Sequence, residues 1–161
     1  MADRPKPNPG SYPRDDISDD VLEAIVVDGD ATYLVSFAKA IGEGLHSARL
    51  TTNQLRNVFT TIRQIEMNWP IVGHEQAAED EATRQRRHRA QQRARSAARQ
   101  LLLLRPKLAY QASREQKGGT GMRFLSDTLA PAIDLVGENR AYFQNLVDFL
   151  EAIVAYHASA N

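Results

Sequence analysis

Seven arginines, at positions 84, 86, 87, 89, 93, 95 and 99, fall within sixteen consecutive residues of a 161-residue chain. A guanidinium is planar, permanently charged and able to grip a phosphate with two parallel hydrogen bonds. So dense a cluster suits polyanion binding rather than proton transfer. On a helix each residue turns by about 100°, so Arg86, Arg89 and Arg93 share one face and Arg84, Arg87 and Arg95 another. Like charges at this spacing repel, which makes the helix costly unless a polyanion or an acidic surface neutralises it. The plainer reading is a solvated helix or linker balanced by Glu75, Glu79, Asp80 and Glu81.

A second constellation is Arg105-Pro106-Lys107-Leu108-Ala109-Tyr110-Gln111-Ala112-Ser113-Arg114. If the segment beyond Pro106 is helical, Lys107, Tyr110 and Arg114 form a basic face with a ring in its middle. Leu104, Leu108 and Ala112 then form another face. Such a helix sets phosphate donors beside a surface on which a base can stack. The competing reading puts Tyr110 in the core and leaves the cations as ordinary surface. Arg56 and Arg63, seven residues apart, share a further face away from the apolar stripe of their own segment.

Enzyme signatures fail one by one. His74-Glu75 begins like a zinc-protease helix, but position 78, where the second histidine belongs, is Ala. His46, His74, His88 and His157 stand singly, without ligand spacing. Gly118-Gly119-Thr120-Gly121 lacks the Lys-Ser/Thr of a phosphate cradle and reads as a turn. No nucleophile elbow surrounds Ser113. With no cysteine in the chain, disulfides and thiolate metal sites are excluded. We expect no enzymatic activity and no cofactor or metal.

Charge is distributed unevenly along a chain whose formal net charge is zero. Residues 1–82 carry a net −7, residues 83–123 a net +11 and residues 124–161 a net −4. Field asymmetry of this kind points to a polyanionic partner.

The elements that must position these groups all read as helices. Residues 1–17, rich in proline, read as a flexible tail, and residues 18–161 as one domain. Ser18 can cap a helix through Val21, Leu22 and Ile25, although Ala24–Val27 also has strand character. Asp30 can cap a second, with Leu34, Phe37, Ala38, Ile41 and Leu45 on one face and Gly42 and Gly44 weakening its end. Thr51 and Gln54 have the spacing of a capping box ahead of Leu55, Val58, Phe59, Ile62, Ile65 and Trp69. Residues 74–100 are mostly strong helix formers without bulky apolar residues, so they make a solvated arm or pack through Ala alone. Leu101 to Leu104 restore a core, and Pro106 interrupts or restarts the helix. A helix containing Phe124, Leu125, Leu129, Ile133 and Val136 is kinked or split at Pro131. Asn139 can cap the last and most buried helix, with Phe143, Leu146, Phe149, Leu150, Ile153, Val154 and Tyr156 on a wide apolar face. The fold class is all-α, a compact bundle of about five or six helices with an arginine-rich helical arm. No signal peptide and no run of ~20 apolar residues appear, so a cytoplasmic protein without membrane contact is expected.

Three stretches then read together: Leu50-Thr51-Thr52-Asn53-Gln54-Leu55-Arg56, Leu104-Arg105-Pro106-Lys107-Leu108-Ala109-Tyr110-Gln111, and Phe149-Leu150-Glu151-Ala152-Ile153-Val154-Ala155-Tyr156-His157. In this order the chain resembles the small subunit of type III-A (Csm) CRISPR–Cas effector complexes. The resemblance covers roughly Thr32 to His157. It implies a compact helical protein without known catalysis, taking part in antiviral defence within a ribonucleoprotein. Copies of it would stack as an inner filament beside other Csm subunits and contact guide RNA and target RNA through basic residues. Carried over by motif, Arg56, Arg105, Lys107 and Arg114 become RNA-contact candidates. Face geometry adds Arg63 and Tyr110, and charge alone adds Arg86, Arg89 and Arg93.

Two substitutions depart from the family pattern. Asn53 stands in place of Ser, and Ser113 in place of Gly, where a left-handed backbone would now be strained. The arm and the Gly118–Gly121 loop look longer than usual, and the Pro-rich tail has no counterpart. The alternative function is a purely structural spacer whose basic segment pairs with acidic surfaces of its neighbours.

Overall fold

The structure, a computed structural model, describes residues 17–71, 80–115 and 119–160. The Pro-rich tail to residue 16, His74 to Ala78, the acids Glu75 and Glu79, and Gly118 lie outside them. Among the described residues there are six helices and no strand: α1 (Asp19–Val26), α2 (Ala31–Ser47), α3 (Thr52–Asn68), α4 (Glu81–Ser113), α5 (Gly121–Val136) and α6 (Arg140–Ser159). All six contribute to one continuous apolar core.

Helix starts follow local chemistry where a side chain can reach back. Asp30 accepts hydrogen bonds from the Thr32 and Tyr33 amides at 3.0 and 3.1 Å. Thr51 and Gln54 close the expected capping box, each side chain accepting from the other's backbone N–H. Asn139 accepts from the Tyr142 amide at 3.1 Å. Ser18 does not behave as expected. It occupies the position before α1, but its side chain makes no capping bond. The strand character of Ala24–Val27 is also overruled. Ala24, Ile25 and Val26 are buried inside α1, where tertiary burial outweighs β-branched propensity.

α6 packs against α1, α2, α3 and α5 and is the central helix. Phe143, Leu146, Phe149, Leu150 and Ile153 on it are fully buried. Gly42 corrects another expectation. A Cβ there would stand 2.8 Å from the His157 backbone nitrogen and 2.9 Å from the Ile153 carbonyl oxygen. Gly42 therefore lets α2 and α6 touch backbone to backbone, and its low helix propensity is outweighed by that packing. The pair is pinned further by His157, whose Nε2 lies 2.8 Å from the Leu50 carbonyl oxygen and so carries the proton.

Neither proline breaks its helix. α4 runs through Pro106 and α5 through Pro131 without interruption. A helix-interior proline leaves the carbonyl four residues back without its N–H donor, at about 3 kcal/mol. Those residues, Leu102 and Asp127, are both exposed, so water can satisfy the freed oxygens. Around Pro106, burial of Leu101, Leu104 and Leu108 contributes about 1.5–3 kcal/mol for each side chain and outweighs the cost. The Leu101 to Leu104 run is only half core. Leu102 and Leu103 are 54% and 45% exposed because the helix turns them outward.

Candidate nucleic-acid interface

The loop Ala48–Thr51 is the floor of the candidate site, and three long-range contacts hold it. The Thr120 amide donates to the Ala48 carbonyl at 3.3 Å. Gly121, the first residue of α5, packs so closely that a Cβ would stand 2.7 Å from Leu50. His157 holds the Leu50 carbonyl from the other side. Between these anchors Arg49 takes φ +64°, the one left-handed non-glycine backbone among the described residues. A left-handed conformation costs a residue with a Cβ roughly 1–2 kcal/mol, so the anchors over-determine it.

Beside this floor the last turns of α4 run past the start of α3, leaving an open groove of about 830 Å³. Arg49, Thr51, Gln54 and Asn57 line one wall. Lys107, Tyr110, Gln111 and Arg114 line the other, with Glu115, Gly119 and Met122 at the end. Tyr110 is 61% exposed, which rejects the core reading of this residue. Arg114 stands over its ring at 5.5 Å and donates to its hydroxyl at 3.3 Å, a cation–π arrangement that fixes ring and charge together. Leu104, Leu108 and Ala112 bury the opposite face of the same helix, as the spacing predicts. Among the described residues three cations thus share the groove, and the single carboxylate, Glu115, accepts from the Met122 and Arg123 amides at 2.9 and 3.4 Å. Ser113 is helical, and its hydroxyl donates to the Tyr110 carbonyl at 2.7 Å, so replacing glycine introduces no strain there.

The other candidates fall elsewhere. Arg105 pairs with Asp134 of α5 at 2.8 Å and points away from the groove walls. Arg63 pairs with Glu66 at 2.8 Å and lies over the Phe59 ring. Arg56 is exposed, about 200° around α3 from Gln54, and does not line the groove. Arg86, Arg89 and Arg93 are exposed on the N-terminal half of α4. At 1.5 Å per residue they lie about 20–30 Å along the axis from Lys107, too far to belong to one site. That half is mainly solvated, as one of the two expectations had it. A thin stripe of Thr83, Arg87, Ala90 and Ala94 is half-buried, and the first fully buried residue is Ala97. Asp80 caps the helix by accepting from Thr83, and hydrogen bonding to the side chain and backbone of Thr83 holds its carboxyl below the usual carboxylate range.

Arg49, Gln54, Asn57 and Gln111 were not among the candidates. Gln54 is legible as a cap and Arg49 as a loop residue, but their meeting with α4 depends on tertiary packing. Likewise His46 and His157, unrelated in sequence, bring their rings to 5.7 Å, edge to face. No group of three or more His, Asp or Glu side chains among the described residues could hold a metal ion.

An all-helical protein with a groove lined by Arg49, Lys107, Arg114 and the exposed Tyr110 ring presents a surface suited to a polyanion. The family model Csm2 Type III-A matches residues 28–161, and the chain belongs to this family, the small subunit of the type III-A Csm complex. The family is a non-catalytic structural subunit that associates with other Csm complex subunits. A comparison with curated proteins found no match, and a comparison with solved structures found none. No helix among the described residues is long and apolar enough to cross a membrane.

Proposed function

We propose that this chain, as a cytoplasmic type III-A small subunit, stacks with copies of itself in the inner filament and contacts guide and target RNA through the α3–α4 groove. The observation that carries this reading is the convergence of Arg49, Lys107, Tyr110 and Arg114 on one open groove. Lys107, Arg114 and Arg49 neutralise phosphates, and Tyr110 offers a ring to an unstacked base. Binding of this kind is independent of sequence, which guide–target pairing supplies. Arg63 and Arg105 are already paired within the chain, with Glu66 and Asp134, so the groove reading does not use them. Arg56 remains an exposed candidate on the family motif alone.

Fluorescence anisotropy with a labelled ~30-nucleotide RNA across a salt series tests the groove. Each phosphate contact removed should lower the salt slope by about 0.7, so Lys107→Glu with Arg114→Glu should lower it by at least about 1.4. Tyr110→Ala should weaken binding by about 1–3 kcal/mol with little change in slope. Parent affinity and slope in the double variant would refute the groove as the RNA site. Self-association that weakens in salt, without RNA retention, would favour the spacer.

A further inference from the structure

The N-terminal half of α4 carries a charge pattern that the groove does not use. Arg86, Arg89 and Arg93 lie within about 60° of one another around the helix. Arg84, Arg95 and Arg99 lie within about 60° of one another on the opposite side. All six are exposed, and no ion pair among the described residues engages them. The thin half-buried stripe of Thr83, Ala90 and Ala94 runs between these two faces. We propose that this arm is a second RNA site, separate from the groove, that takes phosphates on both flanks of the helix.

Two features favour RNA over an acidic protein surface. A folded protein surface meets a helix on one side, whereas arginines on opposite sides need negative charge delivered twice. A flexible strand that wraps, or two strands that flank, can do this. Protein interfaces also need an apolar centre, and from Glu81 to Ser96 the arm has no bulky apolar side chain. Arginine in place of lysine suits bidentate contact with phosphate.

Axial spacing makes the idea quantitative. From Arg93 to Lys107 is about 21 Å, and from Arg86 to Tyr110 about 36 Å, at 1.5 Å per residue. At ~3.4 Å per nucleotide along a strand, that is roughly six to ten nucleotides. A hexanucleotide therefore reaches at most the nearest pair, Arg93 and Lys107, and cannot occupy both sites fully, whereas a 24-mer can cover both. The second contact then becomes intramolecular and tightens binding without any new chemistry.

The inference shares its ligand with the groove reading, so the experiment separates the two. Labelled U6 and U24 are titrated across salt against the parent, the arm variant R86Q/R89Q/R93Q and the groove variant K107Q/R114Q. The expected result is that the arm variant lowers the U24 salt slope by about 2, the groove variant by about 1.4, and their combination by the sum. The arm variant should also lose at least about tenfold of the U24-over-U6 preference. A flattened slope in the groove variant but not in the arm variant would overturn the arm and leave the groove standing. The reverse would leave the arm and overturn the groove, and absence of RNA binding by the parent would overturn both. A polyglutamate chain that competes as well as unlabelled U24 would overturn RNA in favour of an acidic protein surface. Exposed Arg→Gln changes leave the fold intact, which far-ultraviolet circular dichroism of each variant checks.

Discussion

In α4, residues 81–96 bury no side chain fully and set only half-buried Ala94 against the core, whereas residues 97–113 place Ala97, Ala98, Leu101, Leu104, Leu108 and Ala112 in it. Both halves are helical, for different reasons. The first is made largely of Ala, Gln and Arg, strong helix formers, but Arg84–Arg87, Arg86–Arg89, Arg89–Arg93 and Arg95–Arg99 repel. At about 0.2–0.5 kcal/mol each, these pairs cost the arm roughly 1–2 kcal/mol. The second half contains a proline that costs more than all of them, yet continues because leucines on both sides of it are buried. The difference shows which energy governs each half: local propensity and charge in the arm, tertiary packing in the body. It also fixes where substitution matters. Charge changes in the arm should act on binding, and volume changes in the body on stability.

The sharpest way to break this contrast is Leu101→Ala. Burial predicts a loss of about 2–5 kcal/mol in urea titration. A loss no larger than that of an exposed arm substitution would abolish the distinction. Gly42→Ala tests whether the packing rule extends to α2 and α6. Propensity alone predicts a gain of about 1 kcal/mol, whereas the methyl's collision with the α6 backbone predicts a loss of about 1–3. The sign, read from the urea midpoint, decides. The smallest effect concerns the arm alone. Asp80 has a lowered folded-state pKa, so its capping contribution is present above the ordinary carboxylate value of about 3.9 and fades as pH falls through the lowered one. Asp80→Asn keeps the cap but does not titrate. The ellipticity difference between the two proteins should therefore vary with pH only in the acid range.

What could be read from the sequence is what the sequence holds within a few residues. Thr51 and Gln54 predicted their own capping box, and Leu104, Leu108 and Ala112 their buried face, because spacing on one helix settles both. Lys107, Tyr110 and Arg114 were placed on a common exposed face for the same reason. Gly42 was misjudged because its partner is the backbone of Ile153 and His157, more than a hundred residues on. Arg105 looked equivalent to Lys107 in the motif, yet Asp134 of another helix draws it away. Arg49 owes its place to a left-handed turn that no arginine advertises. The groove's α4 wall was legible, and its α3 wall was not.

The bond from His157 to the Leu50 carbonyl spans 107 positions of chain. On a ribosome adding about 5–20 residues each second, Leu50 emerges some 5–20 s before the histidine that holds it. Throughout that interval Arg49 has no anchor from α6, and the α5 glycine that backs Leu50 is itself some seventy residues away. The nascent chain therefore exposes its basic side chains well before they are arranged in the groove. Order of synthesis thus delays the finished groove until most of the bundle has been made.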